Sequence, residues 1–570
     1  MGVYEPCRCG LPMDAGADVA DAPDVVDVPP RDVPPLVLPA RLLLPRSVSR
    51  ATTQRPTFRW VLPTGVTRAR LTLARDRALT LSPRAASVEG DRWRTTEALS
   101  PGVWFWRVEG LDADGGVSWT SPTWEFFSPR RDSPVDSSWG TSWDFNGDGY
   151  DDLLANVQQG WAVFPGGASG LDLTHPRRQE DIGPTDLGSS DADTIAVGDF
   201  NGDGISDLIA NVNMPRIDGE RSHLRVYYGA PSGIETVPRQ VFGAALFDPR
   251  DRDGLFGRTQ ATDWDGDGFM DMVVSFACTS CSPYPAVEFQ VHRGGPDGVA
   301  MSPTYQFRRS RAEGYSSTGY LRALGDMDGD GYGDVAVATY VAYPGSFTFV
   351  YGAPADAPAE AVHQVTLPLI DDRYGLGAAG LGDMDGDGAL EVAVGGLNRV
   401  SIFSGRFEAA AAPRAVIPAP HIPSSRFLNN AFGTRFAQPC DVNGDGLSDA
   451  VLGSPTPVID GRATSGRVYV FWGRATGWST TPDLTLAPPG TENEVIEFGN
   501  AIETGADANG DGFDDVFVAG GTSAVWWWGW FGGTAPLPAT PPILVRRTLG
   551  AYFDLYQIAA SGGAFRGSHG

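Results

Sequence analysis

DFNGDGYDD, residues 144–152, is the first of seven copies of one nine-residue pattern, Asp-x-Asp/Asn-Gly-Asp-Gly-x-x-Asp/Glu. It returns as DFNGDGISD (199–207), DWDGDGFMD (263–271), DMDGDGYGD (326–334), DMDGDGALE (383–391), DVNGDGLSD (441–449) and DANGDGFDD (507–515). Successive copies begin 55, 64, 63, 57, 58 and 66 residues apart, so the chain from about residue 138 onward is a repeat array.

Each unit has the same internal order. An apolar or small-residue strand leads into the loop, as at 194–198 or 321–325. A β-rich strand leaves it (LLANV, LIANV, MVVSF, VAVAT, VAVGG, AVLGS, VFVAG), and a third ends in a Gly-rich turn, as in RVYYGAP, FQVHRGG or VYVFWG. A more polar strand closes the unit, as at 483–486. A unit of about 60 residues suits a four-stranded antiparallel blade, and radial repetition of blades protects sheet edges. The expected fold is all-β, a seven-bladed β-propeller over 138–570. After its third strand the last unit keeps PPILVRRTL and AYFDLYQIA, an outer strand plus one more that is available to latch onto the first blade.

The pattern suits a hard cation. Ca²⁺ takes six to eight oxygens at about 2.3–2.6 Å. Alternate residues of a tight turn present side-chain oxygens inward. Position 1 (Asp144, Asp199, Asp263, Asp326, Asp383, Asp441, Asp507), position 3 (Asn146, Asn201, Asp265, Asp328, Asp385, Asn443, Asn509) and position 5 (Asp148, Asp203, Asp267, Asp330, Asp387, Asp445, Asp511) are therefore candidate ligands. Position 7 needs only its carbonyl oxygen, which leaves its side chain free to vary: Tyr150, Ile205, Phe269, Tyr332, Ala389, Leu447 and Phe513. Position 9 (Asp152, Asp207, Asp271, Asp334, Glu391, Asp449, Asp515) closes the shell with a carboxylate. Glycines at positions 4 and 6 permit the backbone to curl round an ion. Position 2 is hydrophobic in every copy and is expected to turn into the blade packing.

An EF-hand puts its closing Glu at position 12, between helices; here a β-rich strand follows at once, so the EF-hand and dockerin readings fail. Mg²⁺ rarely accepts such protein-only cages. The copies supply 24 ligand carboxylates, and like charges this close repel strongly unless a cation sits among them. The cofactor expected is Ca²⁺, up to seven ions, in a structural role.

Charge follows the same division. The net charge of -27 splits into -5 for residues 1–40, +7 for 41–131 and -29 for the remainder. The acidity of the repeat region argues against a nucleic-acid partner. No apolar run approaches 18 residues, so no membrane span is read. Residues 1–40, rich in Asp, Ala and Pro, read as a disordered tether, and no n-region and h-region of a signal peptide precede it. Acidic Pro-rich tethers of this kind follow the lipid-carrying cysteine of bacterial surface lipoproteins. That makes Cys7 or Cys9 a candidate lipid anchor, although no apolar stretch and lipobox precedes either.

Residues 41–130 read as a small β-sandwich, with short apolar runs at 57–62, 70–73, 103–108 and 123–127. LSPGVWFWRVEGLDADGGVSWTSPTWEFF (99–127) resembles the second half of a fibronectin type III domain, with Trp60 as the matching core tryptophan. Phe105 stands where that family usually has Tyr. The aromatics are expected in the core, and the arginine excess on a solvated face or docked onto the acidic remainder.

Loop plus flanks resembles the FG-GAP repeat of integrin α-subunit heads and of bacterial secreted proteins. Phe432-Gly433 precedes the sixth loop, Gly453-Ser454-Pro455 follows it, and Phe498-Gly499 and Tyr374-Gly375 repeat the first half of the signature. The resemblance implies a seven-bladed propeller with calcium in the hairpins between first and second strands. Integrin heads carry such loops in only some blades, whereas here every unit has one, and no integrin ligand carries over.

No HExxH, G-x-S-x-G or P-loop is present, and the six His are scattered. Cys278 and Cys281 are expected to form a local disulfide, and Cys440 a buried thiol. The reading is a non-enzymatic, calcium-binding propeller, extracellular or at the cell surface, mediating adhesion or binding an extracellular protein or glycan. The alternatives are a calcium-dependent glycan lectin, suggested by Trp526-Trp527-Trp528 and Trp530, and a polysaccharide lyase on a propeller scaffold.

Overall fold

A computed structural model of the protein describes residues 39–557 except 158–159, 180–194, 218–219, 244–254, 279–285, 311–319, 340–345, 359–361, 369–376, 397–398, 407–411, 421–431, 456–457, 460–461, 464, 489–496, 521–523, 535–536, 539–540, 542 and 549–553. Among these residues there is no helix, and every sheet beyond residue 150 is antiparallel.

The repeat region is a succession of small sheets, each built in chain order, of the kind a β-propeller is made from. The second is Ile195–Gly198, Asp207–Ile217, Glu220–Tyr227 and Gln240–Gly243, and the fifth is Gly377–Gly382, Glu391–Gly396, Arg399–Ser404 and Ala415–Pro418. From the second sheet onward, the acidic loop joins first and second strands, as the sequence predicts. Second strands are covered on both faces; Glu391–Gly396, Ala450–Ser454 and Asp515–Gly520 are buried at every residue and are apolar but for their ends.

Packing between sheets passes from one to the next through position 2 of the loops. Phe145 joins first-sheet and second-sheet residues in one apolar cluster, and Phe200 does the same for the second and third. Trp264, Met327, Met384 and Val442 repeat this at the following junctions. Ala508, in the last loop, packs with Phe517 and Trp527 of the seventh sheet and with Leu153, Ala162 and Phe164 of the first. A backbone bond recurs beside them. The residue after a third-strand turn donates to the position-2 carbonyl of the preceding loop: Ala230 to Phe145, Gly295 to Phe200, Ala353 to Trp264, Arg474 to Met384 and Gly533 to Val442. Gly167 donates to Ala508 in the same way at 2.9 Å, between the first and last sheets.

Two features depart from the sequence reading. The first sheet (Leu153–Val157, Gly160–Phe164, Arg177–Gln179) has no strand ahead of its loop. The residues there, SWGTSW, lack the small apolar run that leads into the other loops, and Ser138–Trp139 pairs instead with Ser49–Ala51. The last strand, Asp554–Gln557, extends the outer edge of the seventh sheet by pairing with Ile543–Thr548 and does not reach the first.

Ahead of the repeats, two sheets pack face to face. One is ordered Arg41–Leu44, Thr57–Val61, Arg92–Arg94; the other contains Arg84–Glu89, Arg68–Ala74, Gly102–Leu111 and Trp124–Ser128 in that order. Trp60, Trp104, Trp106, Trp124, Phe58 and Phe126 fill the core between them, as expected of structural aromatics. Phe105 is buried on the other face against Ala74 and Leu79.

The Phe-Gly pairs acquire a physical meaning. Phe498 is fully buried, with its ring edge-on to Trp528 at 5.1 Å and to Trp530 at 6.1 Å. Gly499 then brings its carbonyl against the neighbouring strand, and a β-carbon at Gly453 would lie 2.2 Å from that oxygen. Tyr374-Gly375 lies outside the described residues. Replacing Phe498 by Ala should cost about 3–5 kcal/mol of stability, as for other buried aromatics; a urea-unfolding midpoint that does not move would contradict its place in the core.

Candidate metal centres

The loops share one backbone. Every glycine at positions 4 and 6, from Gly147 and Gly149 to Gly510 and Gly512, has φ between 69° and 97°, a region that favours glycine. The curl is held by the candidate ligands themselves. Asp144 Oδ1 accepts from the Gly147 N–H at 2.7 Å, and its Oδ2 from the Gly149 N–H at 2.7 Å. Asp199 and Asp441 do the same with Gly202, Gly204, Gly444 and Gly446. At position 5, Asp148 Oδ1 accepts from the Tyr150 N–H and Asp203 Oδ1 from the Ile205 N–H, each at 2.9 Å.

Position 9 does more than close a shell. Asp207 Oδ2 accepts from the Phe200 N–H at 3.0 Å, and its Oδ1 from the Gly229 N–H, in the third-strand turn, at 2.9 Å. Asp152, Asp271, Asp334, Asp449 and Asp515 repeat both bonds. Each therefore ties its loop to the hairpin one strand further on. Those turns have no room for a side chain: a β-carbon at Gly229 would lie 2.4 Å from the Ser206 carbonyl oxygen, and one at Gly405 2.0 Å from that of Met327. The Gly-rich turns were visible in the sequence, but not this reason for them.

The loops divide by position 3. Where it is Asp, the ligand oxygens gather: those of Asp263, Asp265 and Asp271, of Asp326, Asp328 and Asp334, and of Asp383, Asp385 and Glu391 each lie within 4.8 Å of one another. These loops also attract a guanidinium. Arg293 reaches Asp265 and Asp267 at 2.5 Å each, and Arg414 reaches Asp385 at 2.6 Å and Asp387 at 2.9 Å. Where position 3 is Asn, its amide donates to the position-5 carboxylate, as Asn146 does to Asp148 at 3.1 Å and Asn509 to Asp511 at 2.9 Å. In the third and fifth loops the added carboxylate is thus matched by an arginine.

The donor set fits a hard cation. Asp265 Oδ1 is buried without a partner, while Asp265 Oδ2 and Glu391 Oε1 are buried without a hydrogen bond and face the guanidinium groups of Arg293 at 2.5 Å and Arg414 at 3.6 Å. Burial, reinforced by neighbouring aspartates, pushes the carboxyl of Asp144 up to about 7 and of Asp152 up to about 8. It pushes Asp330 to about 8 and Glu391 to about 9. Such groups hold protons near neutrality unless another positive charge replaces them.

Side chains from outside the repeats also reach the loops, and sequence patterns did not single them out. The Trp124 indole donates to the Gly266 carbonyl at 2.8 Å, and the Ser137 hydroxyl to Asp383 Oδ2 at 3.0 Å. Glu125 is buried beside Asp199, and burial followed by that neighbour raises its carboxyl well above the usual range. The only advance signal was the positive charge of residues 41–131.

Other expectations resolve as follows. Cys440 is a buried free thiol. The Cys278–Cys281 disulfide lies outside the described side chains. Of the aromatic cluster that suggested a lectin, Trp527, Trp528 and Trp530 are core residues packed between sheets, and the side chain of Trp526 lies outside those described.

The acidic loops predict an inverted pH response. Free carboxyls titrate near 4, so between about pH 4 and pH 8 the ion-free fold binds more protons than the unfolded chain. In chelator the stability is therefore full below about pH 4 and is lost as pH rises through the raised values near 7 to 8. Melting in EGTA should occur at lower temperature at pH 8 than at pH 5.5, and added Ca²⁺ should raise it most at pH 8. A melting temperature in EGTA that climbs with pH would contradict this.

The FG-GAP repeat family matches residues 432–471. The chain is 27% identical over 264 residues to integrin alpha pat-2 of Caenorhabditis briggsae, an alignment covering 42% of this chain and 21% of that protein. It is 29% identical over 167 residues to integrin alpha-4 of Xenopus laevis, covering 28% and 15%. The matched region thus spans about a fifth or less of these relatives. The crystal structure of BBS1N in complex with ARL6DN overlays with a TM-score of 0.34 at 11% identity, covering 65% of this chain and 93% of that one. Residues 432–471 thus match an FG-GAP repeat, and part of the chain is similar in sequence to integrin α subunits.

Proposed function

We propose that this chain is a non-enzymatic, calcium-braced, seven-bladed propeller that binds an extracellular protein or glycan at or outside the cell surface. Its segments are a tether over 1–40, a fibronectin type III-like sandwich over 41–130 and the propeller over 138–570. The observation that carries the reading is the buried carboxylate cage that recurs where one sheet packs on the next, with its position-2 neighbour in the junction's core. The cluster around Ala508 supports a ring of seven, since it joins the last sheet to the first. The strand order of the sandwich supports the fibronectin type III likeness. Likeness to integrin α subunits supports adhesion or binding over catalysis.

Extracellular calcium modules bind at about 10⁻⁴–10⁻³ M, so such loops fill where calcium is millimolar and stay largely empty in cytosol. Each ion would be held by positions 1, 3, 5 and 9 with the position-7 carbonyl; its chemical contribution is positive charge. The chain's residues hold the curl, exclude water and transmit that bracing to the turns.

Dialysis against EGTA, followed by melting in EGTA, in Mg²⁺ and in millimolar Ca²⁺, tests the bracing. Ca²⁺ alone should restore the full melting temperature; indifference to chelation would remove the calcium claim. An array of extracellular proteins and glycans, probed with and without calcium, tests the binding role. New unsaturated ends appearing on acidic polysaccharides would replace that role with a lyase.

A further inference from the structure

The seam between the first and last sheets has no strand shared across it, since Asp554–Gln557 stays on the seventh sheet and the first lacks a leading strand. Among the described residues, what crosses that seam besides apolar packing, the Gly167 bond and the Asp507 N–H bond to Asp151 is an arginine from the sandwich. Arg50 lies 2.9 Å from Asp514 Oδ1 and 3.6 Å from Asp151 Oδ2, the position-8 residues of the last and first loops. Asp151 Oδ2 also accepts from the Asp507 N–H at 3.0 Å.

The same motif recurs around the loops. Arg77 donates to the Gly202 carbonyl through Nε and to the Gly268 carbonyl through Nη2, both at 2.7 Å, and so holds the second and third loops together. Arg46 donates to the Asp326 carbonyl at 3.0 Å and to the Gly388 carbonyl at 2.9 Å, spanning the fourth and fifth. Arg130 donates to the Gly149 carbonyl at 2.8 Å in the first loop.

These acceptors sit at positions 1, 4 and 6. None of those backbone oxygens belongs to the candidate ligand set, so these hydrogen bonds leave the ligand atoms to an ion; Arg46 Nε lies a further 3.7 Å from Asp326 Oδ2, beyond hydrogen-bond reach. Their directions depend on the left-handed glycines, and hence on the curled loop. A guanidinium offers donors in a fixed fork that can reach two carbonyls at once; an ammonium does not.

We propose that the sandwich is the clasp of the ring and that its arginines are positioning residues for the cation loops. They grip neighbouring loops in the curled form that holds calcium, so docking of the sandwich and calcium binding are one coupled equilibrium. The inference rests on the calcium reading above. By linkage, a grip that favours the curled loop raises calcium affinity by the same factor that calcium raises docking.

The test uses the full chain, with calcium affinity read by titration calorimetry and docking by hydrogen exchange over residues 123–139, in calcium and in EGTA. In the wild type, EGTA should raise exchange across that segment. Arg46→Gln with Arg77→Gln should weaken calcium binding on the order of fivefold or more, the lower end of usual coupling. Arg70→Gln, on the exposed face of the sandwich and paired with Glu109, should leave it unchanged. Arg77→Lys, which keeps the charge and spares the fold if the double variant does not fold, should still lose affinity because the two-carbonyl fork is gone. Unchanged affinity in Arg77→Lys and in the double variant, or full protection of 123–139 in EGTA, overturns the coupling while leaving calcium binding intact. A wild type that binds no calcium overturns both.

Discussion

Mutual repulsion among buried carboxylates is the constraint on which the rest of this structure depends. Position 9 of each loop, and position 1 of every loop but the sixth, where Asp441 is half-buried, are held out of water by the sheets on either side, and in three loops position 3 is a carboxylate too. Burial makes the charge expensive and neighbouring charges make it more so. The chain meets that constraint with backbone N–H groups aimed at position 1, turn N–H groups aimed at position 9, and arginines at two of the three loops that carry a further aspartate. The buried oxygens that make no hydrogen bond, on Asp265 and Glu391, fit a divalent cation as well as the guanidinium groups that face them.

Because position 9 bonds both its own loop and the third-strand turn, the electrostatics of the loop and the packing of the sheet are one structure. Position 2 leaves the same loop in the opposite direction, into the core between sheets. A change in the loop is therefore felt at the junction, and the junctions follow one another until Ala508 meets the first sheet. Stability here is a property of a sequence of neighbours, as in other repeat architectures.

Much of this was legible beforehand. Seven loops at near-equal spacing gave the sheets, and the hydrophobic character of position 2 gave its inward direction. Strand grammar failed where composition failed, at SWGTSW ahead of the first loop, because a polar stretch with no small apolar run joined the edge of the sandwich instead. The last strand was read as a latch since its apolar pattern says only that it pairs, not with which edge. The role of the turn glycines and of Arg46, Arg50 and Arg77 was hidden for a different reason. Close approach of two backbones, and contacts between residues hundreds apart, leave no local signature beyond a glycine or a regional charge.

The central claim is that divalent calcium occupies these loops as part of the fold. Native mass spectrometry of the full chain, exchanged into millimolar calcium and then into EGTA, tests it most directly. The account predicts several calcium ions per chain, up to seven, lost in EGTA together with a shift to the higher charge states of an expanded chain. A spectrum with no bound calcium, or with ions lost and the compact charge states unchanged, would contradict it.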